Sequence, residues 1–295
     1  MIKNLLIFSV LLTFIIIFVF YFLKPKLLFK SSFEEDTYLV VPSRRESTVW
    51  WQEIRTSSNN KRSWPVTLQG EEGCFQMITN NENIHDYIEN KIDTVIGIDG
   101  KETKVLHQIV KKKEQEWSQD PYVVYTKDKE QKKLYMRYSL KYPNNLAEIL
   151  GKDGWLTFCQ FKTTSDYRLS YYIYSDKHSN LYWYVHGDNV VIDDVPYKEY
   201  WFKENKEVAV PQGQWFDVEI FWDRSTKNNG RVWLAINGKV VIDYIGVTKL
   251  KDPIHEMMLF TNYASSPLEQ WVDNIEIWSD FPCGIGKSCH KKHDK

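Results

Sequence analysis

Apolar and polar positions follow three successive rhythms along the 295-residue chain. Residues 5–23 are apolar on every side, with no charge and no proline, and Ser9 and Thr13 are the mildest interruptions. Over residues 84–110 apolar side chains recur at spacings of three and four. Ile84, Tyr87, Ile88, Ile92, Val95 and Ile96 would form one stripe of a helix near 84–96, with cap candidates at Asn80 to Asn83 and a stop at Gly97 and Asp99-Gly100. A second helix is expected near 102–114, with Val105, Leu106, Ile109 and Val110 inward and Lys111 to Lys113 at the C-terminal end, where cations suit the helix dipole.

After Asp120-Pro121 the rhythm becomes alternation in short runs separated by turn residues. Strands are expected at 122–126, 133–142, 155–163, 168–175, 182–186, 215–223, 231–236, 239–244, 256–263 and 271–278. Such regular spacing predicts an all-β, antiparallel sandwich or barrel. Asn237-Gly238 between two of these runs predicts a tight hairpin, because both turn residues must adopt positive φ. A single short helix is expected over 143–150, stopped by Gly151.

At about 1.5 Å per residue, residues 5–23 are long enough to cross the hydrocarbon core of a bilayer. The sequence therefore predicts a transmembrane anchor over 1–24, a juxtamembrane linker over 25–48, a β domain over 49–281 and a Cys/His-containing tail over 282–295. A cleaved signal peptide is the rival for the first segment, but its apolar core is normally shorter and followed by small residues. Here the run ends in Phe20, Tyr21, Phe22 and Leu23. Flanking lysines, Lys3 on one side and Lys24, Lys26 and Lys30 on the other, lean slightly toward a cytoplasmic C-terminal domain. The character of that domain argues instead for a single-pass protein with its domain on the extracytoplasmic side.

Net charge is −1, so bulk electrostatics give no reason to expect nucleic acid as a partner. Tryptophan and tyrosine are abundant, at 12 and 18 residues. Their rings fill β cores and also offer sugars an apolar face with a hydrogen-bonding edge. Cys283 and Cys289 could close a short disulfide loop, and Cys74 and Cys159 could be free or form a second bridge. The spacing of Cys283, Cys289, His290 and His293 fits no familiar zinc site, and no cofactor or metal is expected.

The C-terminal half reads VPQGQWFDVEIFWDRSTKNNGRVWLAINGKVVIDYIG and later QWVDNIEIW. It resembles the concanavalin-like jelly-roll domains of polysaccharide lyases of the heparin lyase I and alginate lyase type. In these a P-x-G-x-W strand start precedes a G-x-v-x-v-x-x-N-G hairpin and a final D-n-x-x-x-W strand. The likeness covers roughly residues 134–280. It implies a sandwich fold, and its residues mostly build that fold: Trp215 as a core anchor, Asn237 and Gly238 as turn formers, Asp273 tying down a loop.

The resemblance also implies a groove for an acidic polysaccharide, cleaved by β-elimination. That reaction needs a group to neutralise the uronate, a base for the neighbouring proton and an acid for the leaving oxygen. Alternation places Phe158, Gln160 and Lys162 on one face of their strand, and Arg168, Ser170, Tyr172 and Tyr174 on one face of the next. Tyr182, Tyr184 and His186 share a face further on. His186, Tyr172 and Lys162 are the candidate catalytic residues, and Gln160, Arg168, Tyr184 and Tyr263 the candidate substrate-binding residues.

Departures from the family are equally plain. Where alginate lyases carry Q-I-H, this chain has Gln160-Phe161-Lys162. Where they carry Y-F-K-A-G-x-Y, Leu259 stands for the lysine and Thr261 for the glycine if Tyr263 is the final tyrosine. Glu219 and Asp223 only approach the alternating acids of a retaining glucanase, and the residues between them are apolar. The alternatives are a non-catalytic, lectin-like glycan-binding module and a membrane-tethered protein-interaction domain.

Overall fold

Alternating side chains are the organising feature of the computed structural model, which describes residues 24–34, 37–44, 49–56, 74–78, 83–113, 121–125, 132–162, 167–189, 197–248, 256–261, 263–284 and 287–289. The strands are β1 (Leu27–Ser31), β2 (Thr37–Leu39), β3 (Ser43–Arg44), β4 (Val49–Thr56), β5 (Cys74–Ile78), β6 (Ile88–Ile96), β7 (Glu102–Val110), β8 (Pro121–Tyr125) and β9 (Lys133–Lys141). They continue as β10 (Trp155–Lys162), β11 (Arg168–Ser175), β12 (Leu181–Asp188), β13 (Glu199–Asn205), β14 (Phe216–Asp223), β15 (Gly230–Ile236), β16 (Lys239–Gly246), β17 (Glu256–Thr261), β18 (Tyr263–Ala264) and β19 (Glu269–Trp278). One short helix, α1 (Leu146–Leu150), ends at Gly151 as expected.

Two antiparallel sheets face one another. The first runs β16-β15-β14-β9-β19-β7-β6, with β1 also on β19, and the second runs β13-β12-β11-β10-β17-β8-β5-β4-β2, with β18 on β10 and β3 on β4. Tyr138, Val218, Ile220 and Trp222 from the first sheet and Phe161, Leu169, Tyr171, Ile173 and Trp183 from the second form a single buried core. Burying such large side chains supplies the main driving force for the sandwich. Trp201 of β13 stacks on Tyr244 of β16 at 3.9 Å and closes one side between the sheets.

Three expectations need correction. The helices near 84–96 and 102–114 are instead the hairpin β6–β7, preceded by a 3-10 turn at Ile84–Asp86. Asp99-Gly100 closes this hairpin, with Gly100 at φ 79°. Its Ile, Thr and Val residues suit a pleated surface better than a helix, and tertiary pairing of β7 with β19 overrides the accidental three-four spacing. The described part of the expected linker 25–48 contains β1, β2 and β3, and Leu27 to Ser31 pair with Trp278 to Ile275. Trp215 is half-buried rather than central, its indole N–H donating to the Ile96 carbonyl at 2.8 Å. The expected anchor at 5–23 lies outside the described residues, among which no helix is long and apolar enough to cross a membrane.

The outer face of the first sheet is covered at its centre by the chain's C-terminal part. Phe281 packs on Tyr135, Phe221 and Trp233, and Cys283 and Cys289 form a disulfide. Glu219, fully buried beneath, accepts hydrogen bonds from the Tyr135 hydroxyl at 2.6 Å, the Cys289 backbone N–H at 2.6 Å and the Ser288 hydroxyl. A buried acid satisfied in this way is structural.

Candidate functional site

Strand register brings the candidate residues onto one face of the second sheet, the face turned away from the core. Lys162, Arg168, Asp188 and Glu199 are successive cross-strand partners on β10, β11, β12 and β13. Gln160, Ser170, His186 and Phe202 form the next row. Tyr263, Thr157, Tyr172 and Tyr184 form a third, and Trp155, Tyr174 and Tyr182 a fourth.

A β-bulge at Phe158 keeps these rows in phase. Thr157 pairs with Tyr172 but Cys159 pairs with Tyr171, so one extra residue stands between them on β10. Phe158 consequently turns into the core against Trp183 at 5.7 Å instead of sharing the face of Gln160 and Lys162. Thr157 takes that place. No sequence motif marked the bulge.

Arg168 does not point freely outward. Its Nε and Nη2 donate to the two oxygens of Asp188 at 2.8 and 2.6 Å. Asp188 is fully buried while the Arg168 side chain keeps 25% exposure, so the guanidinium neutralises an internal carboxylate in bidentate geometry. Burial and the nearby Asp188 carboxylate raise the Tyr197 pKa. Gln160 is buried and donates from Nε2 to the Ser170 hydroxyl at 2.8 Å. Lys162, half-buried beside Arg168, makes no hydrogen bond or ion pair among the described residues.

His186 lies at the centre. Its Nδ1 is 3.0 Å from Glu199 Oε2, which also accepts the Tyr184 hydroxyl at 2.8 Å. A carboxylate only accepts, so Nδ1 carries the hydrogen and Nε2 presents a lone pair. Nε2 is buried without a hydrogen-bond partner, 3.4 Å from Asp188 Oδ2. Burial lowers the pKa of His186; Asp188 and Glu199 pull the other way but do not offset it. The neutral imidazole is therefore the folded form. Tyr172 and Tyr184 meet its ring at 5.2 and 5.4 Å between centroids. Burial and the neighbouring Glu199 carboxylate push the Tyr184 hydroxyl above the ordinary tyrosine range.

Gly187 makes this geometry possible. A Cβ there would lie 2.1 Å from the Tyr167 hydroxyl and 2.5 Å from Trp201 Nε1, two groups hydrogen-bonded to each other at 2.9 Å beneath the strand.

With His186 neutral when folded, an NMR titration of its imidazole should give a midpoint below the ordinary histidine value of about 6.5. Glu199→Gln, which removes a group favouring the charged ring, should lower it further. A midpoint above 6.5 would place a proton on Nε2 in an ion pair with Asp188. Because the folded-state pKa is the lower one, His186 costs stability as pH falls below about 6.5.

The sandwich is similar to those of polysaccharide lyases. Solved structures like this chain include an alginate lyase at 12% identity, covering 82% of this chain and 96% of that one with a TM-score of 0.45. An endo-beta-1,4-glucuronan lyase from the fungus Trichoderma reesei shares 12% identity over 65% of this chain and 90% of its own, also at TM-score 0.45. An alginate lyase from a Chlorella virus shares 11% over 65% and 90%, at 0.40. At these identities the likeness concerns the fold and transfers no residue's role. No protein-family model and no curated protein sequence matches the chain.

Asp188 and Glu199 are the site members that the sequence reading missed. Asp188 stands two residues after His186, so alternation alone would have put it on the same face. Glu199 opens a strand, EYWFKEN, that went unrecognised because its aromatic residues are consecutive rather than alternating. Tyr263 lies on the same face but at its far side, edge-on to Trp155 at 4.7 Å.

Proposed function

We propose that the chain binds an acidic polysaccharide on the outer face of the second sheet. We propose further that residues 5–23 tether it to a membrane with the sandwich on the extracytoplasmic side. The observation that carries the binding reading is a tyrosine-rich row on the same face as Lys162, whose ammonium forms no ion pair among the described side chains, with Glu256 of β17 as its register partner. The rings suit the apolar faces of pyranoses and the ammonium suits a uronate. Titration calorimetry of the full chain with alginate, glucuronan and heparin tests this reading. Lys162→Ala is expected to weaken binding about fivefold, and added salt should shrink the difference. Unchanged affinity in that variant would remove Lys162 from the site, and absence of binding to all three polymers would favour the protein-interaction reading.

A second reading, β-eliminative cleavage, is favoured by the Glu199–His186 pair, which leaves Nε2 unprotonated as a base requires, with Tyr172 and Tyr184 beside it as acids. Nε2 must first become accessible, since it is buried against Asp188. Incubation with the same polymers separates the readings. A rise in ultraviolet absorbance from the unsaturated product, lost in His186→Asn, supports cleavage; binding with no product leaves a glycan-binding module.

A further inference from the structure

We infer that the polysaccharide lies across the strands, along an aromatic ladder running from Tyr263 past Tyr172 and Tyr184 to Phe202, and that this ladder sets the preferred chain length. The inference rests on the glycan reading above and deepens it by assigning a path. Tyr263, Thr157, Tyr172 and Tyr184 are register partners on four adjacent strands, β18, β10, β11 and β12. Neighbouring strands are about 4.8 Å apart, which is close to the advance of one pyranose along a polymer. A chain laid across the strands therefore meets a new strand with each sugar.

The rings form a continuous series. Trp155 and Tyr172 meet edge-on at 6.2 Å, Tyr172 and Tyr184 at 6.2 Å, and Tyr184 stacks on Phe202 at 5.6 Å with only 14° between planes. Phe202 is 52% exposed on the outermost strand, and a phenyl ring offers no polar edge to water. Tyr172 is buried while Tyr184 and Tyr263 keep partial exposure, and the exposed Phe202 ring stacked on Tyr184 extends the apolar track to the outermost strand beside His186, so the site accommodates an internal stretch of polymer rather than a chain end.

Positive charge stands at the Tyr263 end of the track. Lys113 Nζ lies 5.5 Å from the Tyr263 ring and 5.8 Å from Trp155. On the outermost strand the Tyr184 row continues to Glu204, which pairs with Lys206 at 3.1 Å, and Lys206 Nζ lies 4.8 Å over Tyr182 of the neighbouring row. A uronate on a sugar laid beside Tyr263 would come within reach of the Lys113 ammonium. A polymer spanning the ladder reaches both Lys113 and Phe202, whereas a disaccharide does not.

Calorimetry of the full chain with oligouronates cut from alginate, from disaccharide to hexasaccharide, tests the path. Affinity is expected to rise with length. Phe202→Ala, on the outermost strand, should weaken hexasaccharide binding about fivefold to tenfold while leaving disaccharide binding within about twofold. Lys162→Ala should weaken both lengths alike. Near-ultraviolet circular dichroism checks that the variants stay folded. Equal affinity for all lengths, or a Phe202→Ala variant that binds the hexasaccharide as the wild type does, would overturn the ladder and leave the glycan reading standing. Binding at no length would overturn both.

Discussion

Arg168→Ala is expected to lower the stability of the folded chain by about 3 kcal/mol, because it strands the fully buried Asp188 carboxylate. The native pair is bidentate, at 2.8 and 2.6 Å. Once the guanidinium is gone, the Asp188 oxygens face a neutral imidazole at 3.4 Å whose near nitrogen carries no proton. The partial exposure of Arg168 keeps the expected loss at the low end of the range for buried pairs. Urea unfolding of the full chain measures it, with the slope unchanged if only stability moves. The double variant Arg168→Met, Asp188→Leu should recover most of the loss, since it leaves no buried charge. Equal losses in the single and double variants would show that packing, not charge, accounts for the effect. A loss below about 1 kcal/mol would put the pair among solvent-screened ones.

The second large effect concerns pH and lies on the other sheet. Asp273 of β19 is buried at a cavity of about 450 Å³ that Glu34, Asp99, Thr103 and Asp217 also line. Burial raises its pKa to about 7; hydrogen bonds from the Asn274 backbone N–H at 2.7 Å and the Thr103 hydroxyl at 3.3 Å oppose the rise only in part. A folded-state pKa above the ordinary 3.8 means that the folded chain holds its proton longer than the unfolded chain does. Stability attributable to Asp273 therefore falls as pH rises from about 4 to about 7, then levels off. The full cost is at most about 4 kcal/mol.

Asp273→Asn keeps a carbonyl acceptor for the Asn274 N–H and removes the titration. Relative to wild type, the variant should gain about 2 to 4 kcal/mol between pH values of about 4 and 8. The opposite contribution of His186 is common to both proteins and cancels in the difference. Denaturant midpoints across that window provide the check. A flat difference would mean that water in the cavity solvates the carboxylate and holds its pKa near the ordinary value.

Most strands after residue 121 were legible because one face of each is apolar and the turn residues between them are distinctive. The strand expected over 168–175 coincides with Arg168–Ser175. Asn237 and Gly238, at φ 48° and 77°, form the turn their sequence predicts. The β6–β7 hairpin was misread because Val105, Leu106, His107 and Gln108 are buried in succession, which blurs the period-two alternation of a strand. The Asp-Gly pair and the β-branched residues around it carried the correct signal.

Within the site, alternation put Tyr184 with His186 on one face of their strand, and Arg168 with Tyr172 on one face of theirs, from the sequence alone, since side chains two residues apart share a face whatever the tertiary context. The sequence likewise determined a β-rich chain with tight hairpins, and it located a tyrosine-rich face. Only the tertiary structure decided what those residues are bonded to. Asp188 claims Arg168, Glu199 fixes the tautomer of His186, and the bulge at Phe158 selects which β10 residues join the face. The reason is that partner choice, burial and pKa depend on cross-strand register and on the charges set beside each group. Register in turn depends on how the two sheets bury their rings against each other, which no local pattern encodes.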